Sequence, residues 1–213
     1  MDMKRYDYLL VGAGLFNAIL ANELSRIGKK CLVIDRRSHI GGNMYCDCIE
    51  GIDIHSYGPH IFHTNNKYIW DYVNKLCDFK PFVYSPLACY KDKLYNLPFN
   101  MHTFYELWGT KTSVEAKKRI KEQLIPLKND NLEEYALSTF GSEIYETLIK
   151  GYTEKQWGQM ATMLPAFILK RLPLRFTFNN NYFEDFYQGI PMGGYNSLFT
   201  NAFRTCELML DTD

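Results

Sequence analysis

The 213-residue sequence has no excess charge of either sign, since 24 basic residues balance 24 acidic ones. No global field therefore draws nucleic acid or an anionic membrane, and any anion must be held locally. No apolar run approaches the length of a membrane span. The one nearest the start, Tyr8-Leu9-Leu10-Val11, is broken at once by Gly12 instead of leading to a cleavage site. Cysteine is sparse, with six residues in all. Only Cys46 and Cys48 stand close together, and no second pair or histidine cluster sits at ligand spacing, which argues against zinc. No serine triad or catalytic carboxylate pair offers itself. These absences predict a cytoplasmic globular protein with reduced thiols, no metal, no nucleic-acid partner and no membrane insertion. A hydrophobic content of 46% suffices for a real core in one large or two small domains. The conspicuous excess is aromatic, 16 Tyr, 14 Phe and 3 Trp, suited to stacking on rings or sugars as well as to core filling.

The most informative stretch follows the first apolar run. Tyr8–Val11, then Gly12-Ala13-Gly14-Leu15-Phe16-Asn17, then an Ala- and Leu-rich segment, reads as strand, tight turn and helix. Glycines at 12 and 14 let the backbone turn sharply and approach a pyrophosphate, which sits where the free N–H groups of the helix start converge. A second apolar strand, Cys31–Ile34, ends at Asp35, where a carboxylate can bond adenosine ribose hydroxyls. Immediately beyond it, Ile40-Gly41-Gly42-Asn43 adds a second glycine pair, a pattern that favours FAD over NAD. The third glycine position of the fingerprint holds Asn17, so the helix is expected to pack a side chain where there is usually none.

Further along, Tyr68–Leu76 has helical spacing, and Leu87–Tyr90 with Leu94–Leu97 flank a hairpin turn at Lys91-Asp92-Lys93. From Thr103 the pattern becomes helical. Thr112-Ser113-Val114-Glu115 is a capping box, Asn131 caps a helix, and Ser142 opens another that Gly151 is expected to stop. Arg175–Phe178 and the segment around Gly189–Gly194 read as extended or turn-rich. Cys206–Asp211 reads as a strand cut off without a partner, which suggests a truncated piece of a longer enzyme. The expected fold is α/β, a Rossmann-like FAD-binding domain over 1–80 that returns at 183–213. Residues 81–182 form an inserted, mainly helical substrate domain with a hairpin.

The segment Gly151-Tyr152-Thr153-Glu154-Lys155-Gln156-Trp157, followed by Arg171, Arg175 and Tyr182, offers aromatic rings for a base and guanidinium groups for a diphosphate. Composition and spacing alone leave open the alternative that these are packing residues and solvated charges.

Several strings closely resemble prokaryotic UDP-galactopyranose mutase: Gly12–Phe16, His39–Asn43, Tyr57–Thr64, Tyr90–Asn100, Gly151–Trp157 and Arg175–Tyr182. The resemblance implies an FAD-dependent isomerase interconverting UDP-galactopyranose and UDP-galactofuranose. It further implies reduced flavin as the active form, a flavin N5–sugar adduct and, for the full-length protein, a homodimer. By resemblance, Gly12, Gly14 and Phe16 lie at the pyrophosphate turn and Asp35 at the ribose, with Leu15 and Arg36 also cofactor-binding. Gly41, Gly42 and Asn43 run along the cofactor, with His60 and Ile61 beside the isoalloxazine. Tyr152, Thr153, Trp157 and Tyr182 match substrate-contacting positions. Arg171 matches a diphosphate-gripping arginine on a mobile lid and, with His60, is the expected catalytic group. Two departures stand in the substrate site, Tyr84 where many relatives have asparagine and Leu148 where some have phenylalanine. Two other classes share the opening fingerprint: a flavin oxidase or desaturase, and a nucleotide-binding fragment without turnover.

Overall fold

A computed structural model describes residues 4–213. The chain folds as two compact units, one made of the residues up to Val83 together with Glu184–Asp213, the other of Tyr84–Phe183.

The first unit opens with β1 (Tyr8–Val11), α1 (Leu15–Arg26) and β2 (Cys31–Ile34). β1 and β2 pair in parallel, Tyr8 opposite Cys31 and Val11 opposite Ile34, which requires the helical crossover that α1 provides. Next come a hairpin of β3 (Cys46–Ile49) and β4 (Ile52–His55), then β5 (Phe62–Thr64), α2 (Lys67–Val73) and β6 (Phe79–Pro81). α2 starts at Asn66, whose side chain accepts from the backbone N–H of Tyr68 and Ile69.

The second unit begins with the hairpin β7 (Leu87–Tyr90) and β8 (Lys93–Asn96), whose Lys91 and Asp92 both take positive φ. α3 (Met101–Trp108) follows a capping box of Asn100 and Thr103, and α4 (Ser113–Gln123) the expected box of Thr112 and Glu115. α5 (Leu132–Thr139) is capped by Asn131. The next helix departs from the expected stop at Gly151. α6 (Ser142–Ile144) runs through a π-helical turn at Tyr145–Ile149 into α7 (Lys150–Trp157), and only Gly158, at φ 64°, ends it. A mid-helix glycine costs about 1 kcal/mol relative to alanine. Burial of Ile144, Tyr145, Ile149 and Thr153 along the same run outweighs that penalty. Phe99, Phe104, Leu132, Phe140 and Leu164 belong to the same core.

The chain returns to the first unit through β9 (Tyr187–Pro191), which pairs antiparallel with β5 on one side and β6 on the other. Then come α8 (Asn196–Ala202) and β10 (Glu207–Met209). β10 has a partner, contrary to expectation: it pairs in parallel with β2, Glu207 opposite Leu32 and Met209 opposite Ile34. The parallel sheet therefore has the order β1-β2-β10. Ala18 and Ala21 of α1 and Leu198, Phe199 and Ala202 of α8 are buried in the core beneath it.

Candidate functional site

In the first unit the two glycine motifs, some thirty residues apart in sequence, pack against each other. Gly12 takes φ +97°, open to glycine and strained for other residues, and Gly14 is the N-cap of α1 with no side-chain cap, leaving the first-turn N–H groups of a 12-residue helix open. Gly41 donates its N–H to the Ala13 carbonyl at 2.8 Å. A Cβ on Gly42 would stand 3.3 Å from the Gly14 Cα, and one on Gly41 would stand 3.2 Å from the Phe199 ring. Backbone thus meets backbone at the helix start, a cradle that any side chain would fill. Asn17, as expected, places a side chain at this junction: it is half-buried, and its Nδ2 donates to the carbonyls of Val11 and Gly12, both at 2.8 Å. Leu15 is half-buried and Phe16 exposed on the first turn of α1.

Asp35 closes this turn from below. Its Oδ2 accepts from Ala13 N–H at 2.7 Å and its Oδ1 from Arg37 N–H at 2.9 Å. Burial works to raise the Asp35 pKa, but the two backbone N–H donors, aided by the Arg37 charge, hold it below the usual carboxylate range. β10 braces the same corner, since Asp35 N–H donates to the Met209 carbonyl at 3.0 Å and Thr212 N–H to the Asp35 carbonyl at 3.0 Å.

Arg36, the arginine expected to bind the cofactor, is exposed and makes no hydrogen bond among the described residues. Arg37, which sequence reasoning missed, faces the glycine cradle. Its Nη1 lies 3.9 Å from where a Gly42 Cβ would be. The guanidinium is held by Asn43 Oδ1 at 2.9 Å from Nη2 and by the Tyr57 ring 4.7 Å below it. Tyr57 is steadied in turn by His39 Nε2 at 2.8 Å, and His39 stacks on Tyr45 at 4.0 Å. One signal for Arg37 was present: a residue two beyond an Asp at a strand end can return its N–H to that carboxylate, which aims its side chain back over the turn.

His60, also in this unit, donates from Nδ1 to the Gly58 carbonyl at 2.9 Å, and its backbone N–H donates to His55 Nδ1 at 3.0 Å. The Gly58 bond places the His60 proton on Nδ1 and leaves Nε2 unengaged among the described residues. Burial, then the charge of His60, depress the His55 pKa, so His55 is kept neutral as its acceptor role requires. Ile61 follows, half-buried, at the entry to β5.

In the second unit Tyr84, Tyr182 and Phe183 form an aromatic group. Tyr84 lies 5.5 Å from Tyr182, edge to face, and 6.1 Å from Phe183, while Tyr182 N–H donates to the Tyr84 carbonyl at 2.7 Å. Burial raises the Tyr84 pKa, with smaller contributions from Tyr182 and Tyr152. The other residues expected around the substrate are dispersed. Tyr152 and Trp157 are both exposed but stand about 140° apart around α7, so they do not form one platform. Thr153 is 5% exposed, and Leu148 packs on the helical core from the π turn. Arg171 is exposed and makes no ion pair among the described residues. Arg175 is engaged with its own loop, its Nη1 donating to the Asn181 carbonyl and its Nη2 to the Tyr182 carbonyl at 3.1 Å. Among the described residues no group of three or more His, Cys, Asp or Glu could hold a metal, and no helix is long and apolar enough to cross a membrane.

Residues 10–76 match the NAD(P)-binding Rossmann-like domain family, and residues 147–213 the UDP-galactopyranose mutase family. The chain is 43% identical over 198 residues to a dTDP-fucopyranose mutase of Escherichia coli, covering 91% of this chain and 52% of that protein. It is 40% identical over 201 residues to a probable UDP-galactopyranose mutase of Klebsiella pneumoniae, covering 92% and 52%. A Mycoplasma genitalium UDP-galactopyranose mutase is 31% identical over 209 residues, covering 93% and 52%. The chain therefore spans about half the length of the curated relatives it matches. The crystal structure of a reduced UDP-galactopyranose mutase superposes with a TM-score of 0.68 at 15% identity, covering 97% of this chain and 48% of that one, which establishes a shared fold.

Proposed function

We propose that this chain, kin to the UDP-galactopyranose mutases along its length, carries the FAD-binding turn and part of the sugar-nucleotide site of a flavin-dependent mutase. The observation that carries the reading is the cradle where Gly42 meets Gly14 at an uncapped helix start, bordered by the Arg37 guanidinium. A dinucleotide pyrophosphate fits it. The open N–H groups of α1 and the helix dipole face the phosphates, Arg37 supplies a fixed positive charge, and Asp35 stands at the end of β2 for the ribose.

Reduced flavin, when bound, supplies a nucleophilic nitrogen for the anomeric carbon of the sugar. The chain's own residues bind and orient. Arg171, with no ion-pair partner among the described residues, offers its guanidinium to the diphosphate, and the Tyr84, Tyr152 and Tyr182 rings offer stacking and hydroxyls to the nucleoside. His60, fixed by Gly58 and His55, presents Nε2 as a hydrogen-bond acceptor. The substrate is a pyrimidine nucleoside diphosphate hexose whose ring contracts between pyranose and furanose. UDP-galactose is the sugar the motifs favour, and dTDP-fucose, named for the Escherichia coli relative, is the competing one.

The test is turnover of UDP-galactofuranose by the full-length protein with dithionite-reduced FAD, followed by chromatography. Conversion to UDP-galactopyranose that disappears on flavin oxidation supports the reading. Equal activity in both redox states overturns it. A higher kcat/KM for dTDP-fucose reassigns the sugar and leaves the chemistry standing.

A further inference from the structure

The parallel register sets Leu32 opposite Glu207; carried one residue back, it sets Cys206, the residue before β10, opposite Cys31, the first residue of β2. Neighbouring strands lie about 4.8 Å apart, within the roughly 4.4–6.8 Å of Cα separation that a disulfide bridges. Both thiols are free. Residues directly opposite in a parallel pair project to the same face of the sheet, and Ser25 Oγ lies 3.8 Å from Cys206 Sγ. The two cysteines differ in access, since Cys31 is 2% exposed whereas Cys206 is half-buried. None of this is used by the cofactor turn or the sugar site.

We propose that Cys31 and Cys206 form an oxidant-sensitive dithiol whose disulfide staples β10 to β2 beneath the cofactor turn. The oxidant is a peroxide. The Cys206 thiolate attacks one oxygen of hydrogen peroxide, the O–O bond breaks, hydroxide leaves, and Cys206 becomes a sulfenic acid. The Cys31 sulfur, giving up its proton, then attacks the Cys206 sulfur. The S–S bond forms, the S–O bond breaks, and the oxygen leaves as water. The net change is two thiols and one peroxide to one disulfide and two waters. Burial raises the Cys31 pKa, which suits the second, resolving role in which the partner sulfur is already adjacent. The consequence reaches the site through the backbone. β10 ends by binding Asp35 through Met209 and Thr212, and Arg37 through Asp211 N–H at 3.1 Å. A covalent staple at its other end suppresses its fraying and holds the Asp35–Arg37 turn in place.

The experiment treats the purified chain with graded hydrogen peroxide, blocks remaining thiols, and maps peptides without reduction. The expected product is a Cys31–Cys206 cross-linked peptide that a thiol reductant reverses, with amide exchange over Glu207–Met209 slowed about tenfold. Cys206→Ser, at a half-buried position, abolishes the cross-link. Cys31→Ala leaves Cys206 to accumulate added oxygen. Oxygen accumulating on Cys206 of the unsubstituted chain without the cross-link overturns the proposal, as does a disulfide from Cys206 to any of the other four cysteines. Neither readout requires cofactor or turnover, so failure here is separable from failure of the mutase reading.

Discussion

Asn17 Nδ2 lies 2.8 Å from the carbonyl oxygens of both Val11 and Gly12, so one amide uses both of its protons to close the turn that faces the cofactor cradle. A glycine here would permit closer helix packing, whereas asparagine locks the turn by hydrogen bonds. Asn17→Ala leaves both carbonyls without their partner and is expected to lower stability by about 1–2 kcal/mol, read from denaturant midpoints. Asn17→Gly is expected to cost more, because it adds the helix penalty of glycine.

Arg37 borders the glycine cradle, and Arg36 points to solvent. Loss of one charge-assisted phosphate contact is worth about 1.5–3 kcal/mol, so Arg37→Ala should weaken FAD binding roughly ten- to a hundred-fold in a fluorescence titration. Arg36→Ala should change it less than about twofold. A larger effect at Arg36 would mean that the Asn43 and Tyr57 contacts do not hold Arg37 at the pyrophosphate.

Two arginines of the 171–175 segment have separate fates. Arg171→Ala is expected to leave Tm unchanged and to reduce kcat/KM for the sugar nucleotide roughly thirty- to a thousand-fold, with lysine restoring only part. Arg175→Ala removes the bonds to the Asn181 and Tyr182 carbonyls and should lower Tm by several degrees. The reverse pattern would assign the diphosphate to Arg175.

Asp35 makes acid sensitivity a local property. Its folded-state pKa is depressed, so at low pH the unfolded chain binds the proton more readily than the folded one. Stability from this group is therefore complete above the unfolded value near pH 4 and is lost as pH falls below it, through the folded pKa. Asp35→Asn should flatten that part of the acid limb in a pH series of urea midpoints. It should also lower stability at neutral pH, because an amide cannot accept from both Ala13 and Arg37 with two oxygens.

Gly151 sits inside a continuous helix, exposed, with nothing within 4 Å of an added Cβ. Gly151→Ala is expected to stabilise the protein by about 0.5–1 kcal/mol. Gly158, at φ +64°, should respond oppositely, with Gly158→Ala destabilising by about 1 kcal/mol. Thermal denaturation of the pair distinguishes the helix stop at 158 from one at 151.

What the sequence determined by itself was local. The turn at Gly12 and Gly14, the carboxylate ending β2, the Lys91-Asp92-Lys93 hairpin and the caps at Thr112 and Asn131 follow from short-range steric and hydrogen-bonding rules that act within a few residues. They were legible for that reason, and the α/β class with its Rossmann-like fold followed from their order. The tertiary structure decided whatever depends on which faces are covered and which distant strands meet. It brought Gly42 onto Gly14 and turned Arg37, not Arg36, over that junction. It gave β10 a partner in β2, and so set Cys206 beside Cys31. It buried Thr153, separated Tyr152 from Trp157, and engaged Arg175 with its own loop. The helix passed Gly151 because burial of the apolar residues on either side exceeds a propensity penalty of about 1 kcal/mol, a balance of long-range packing against local preference that no short window of residues contains.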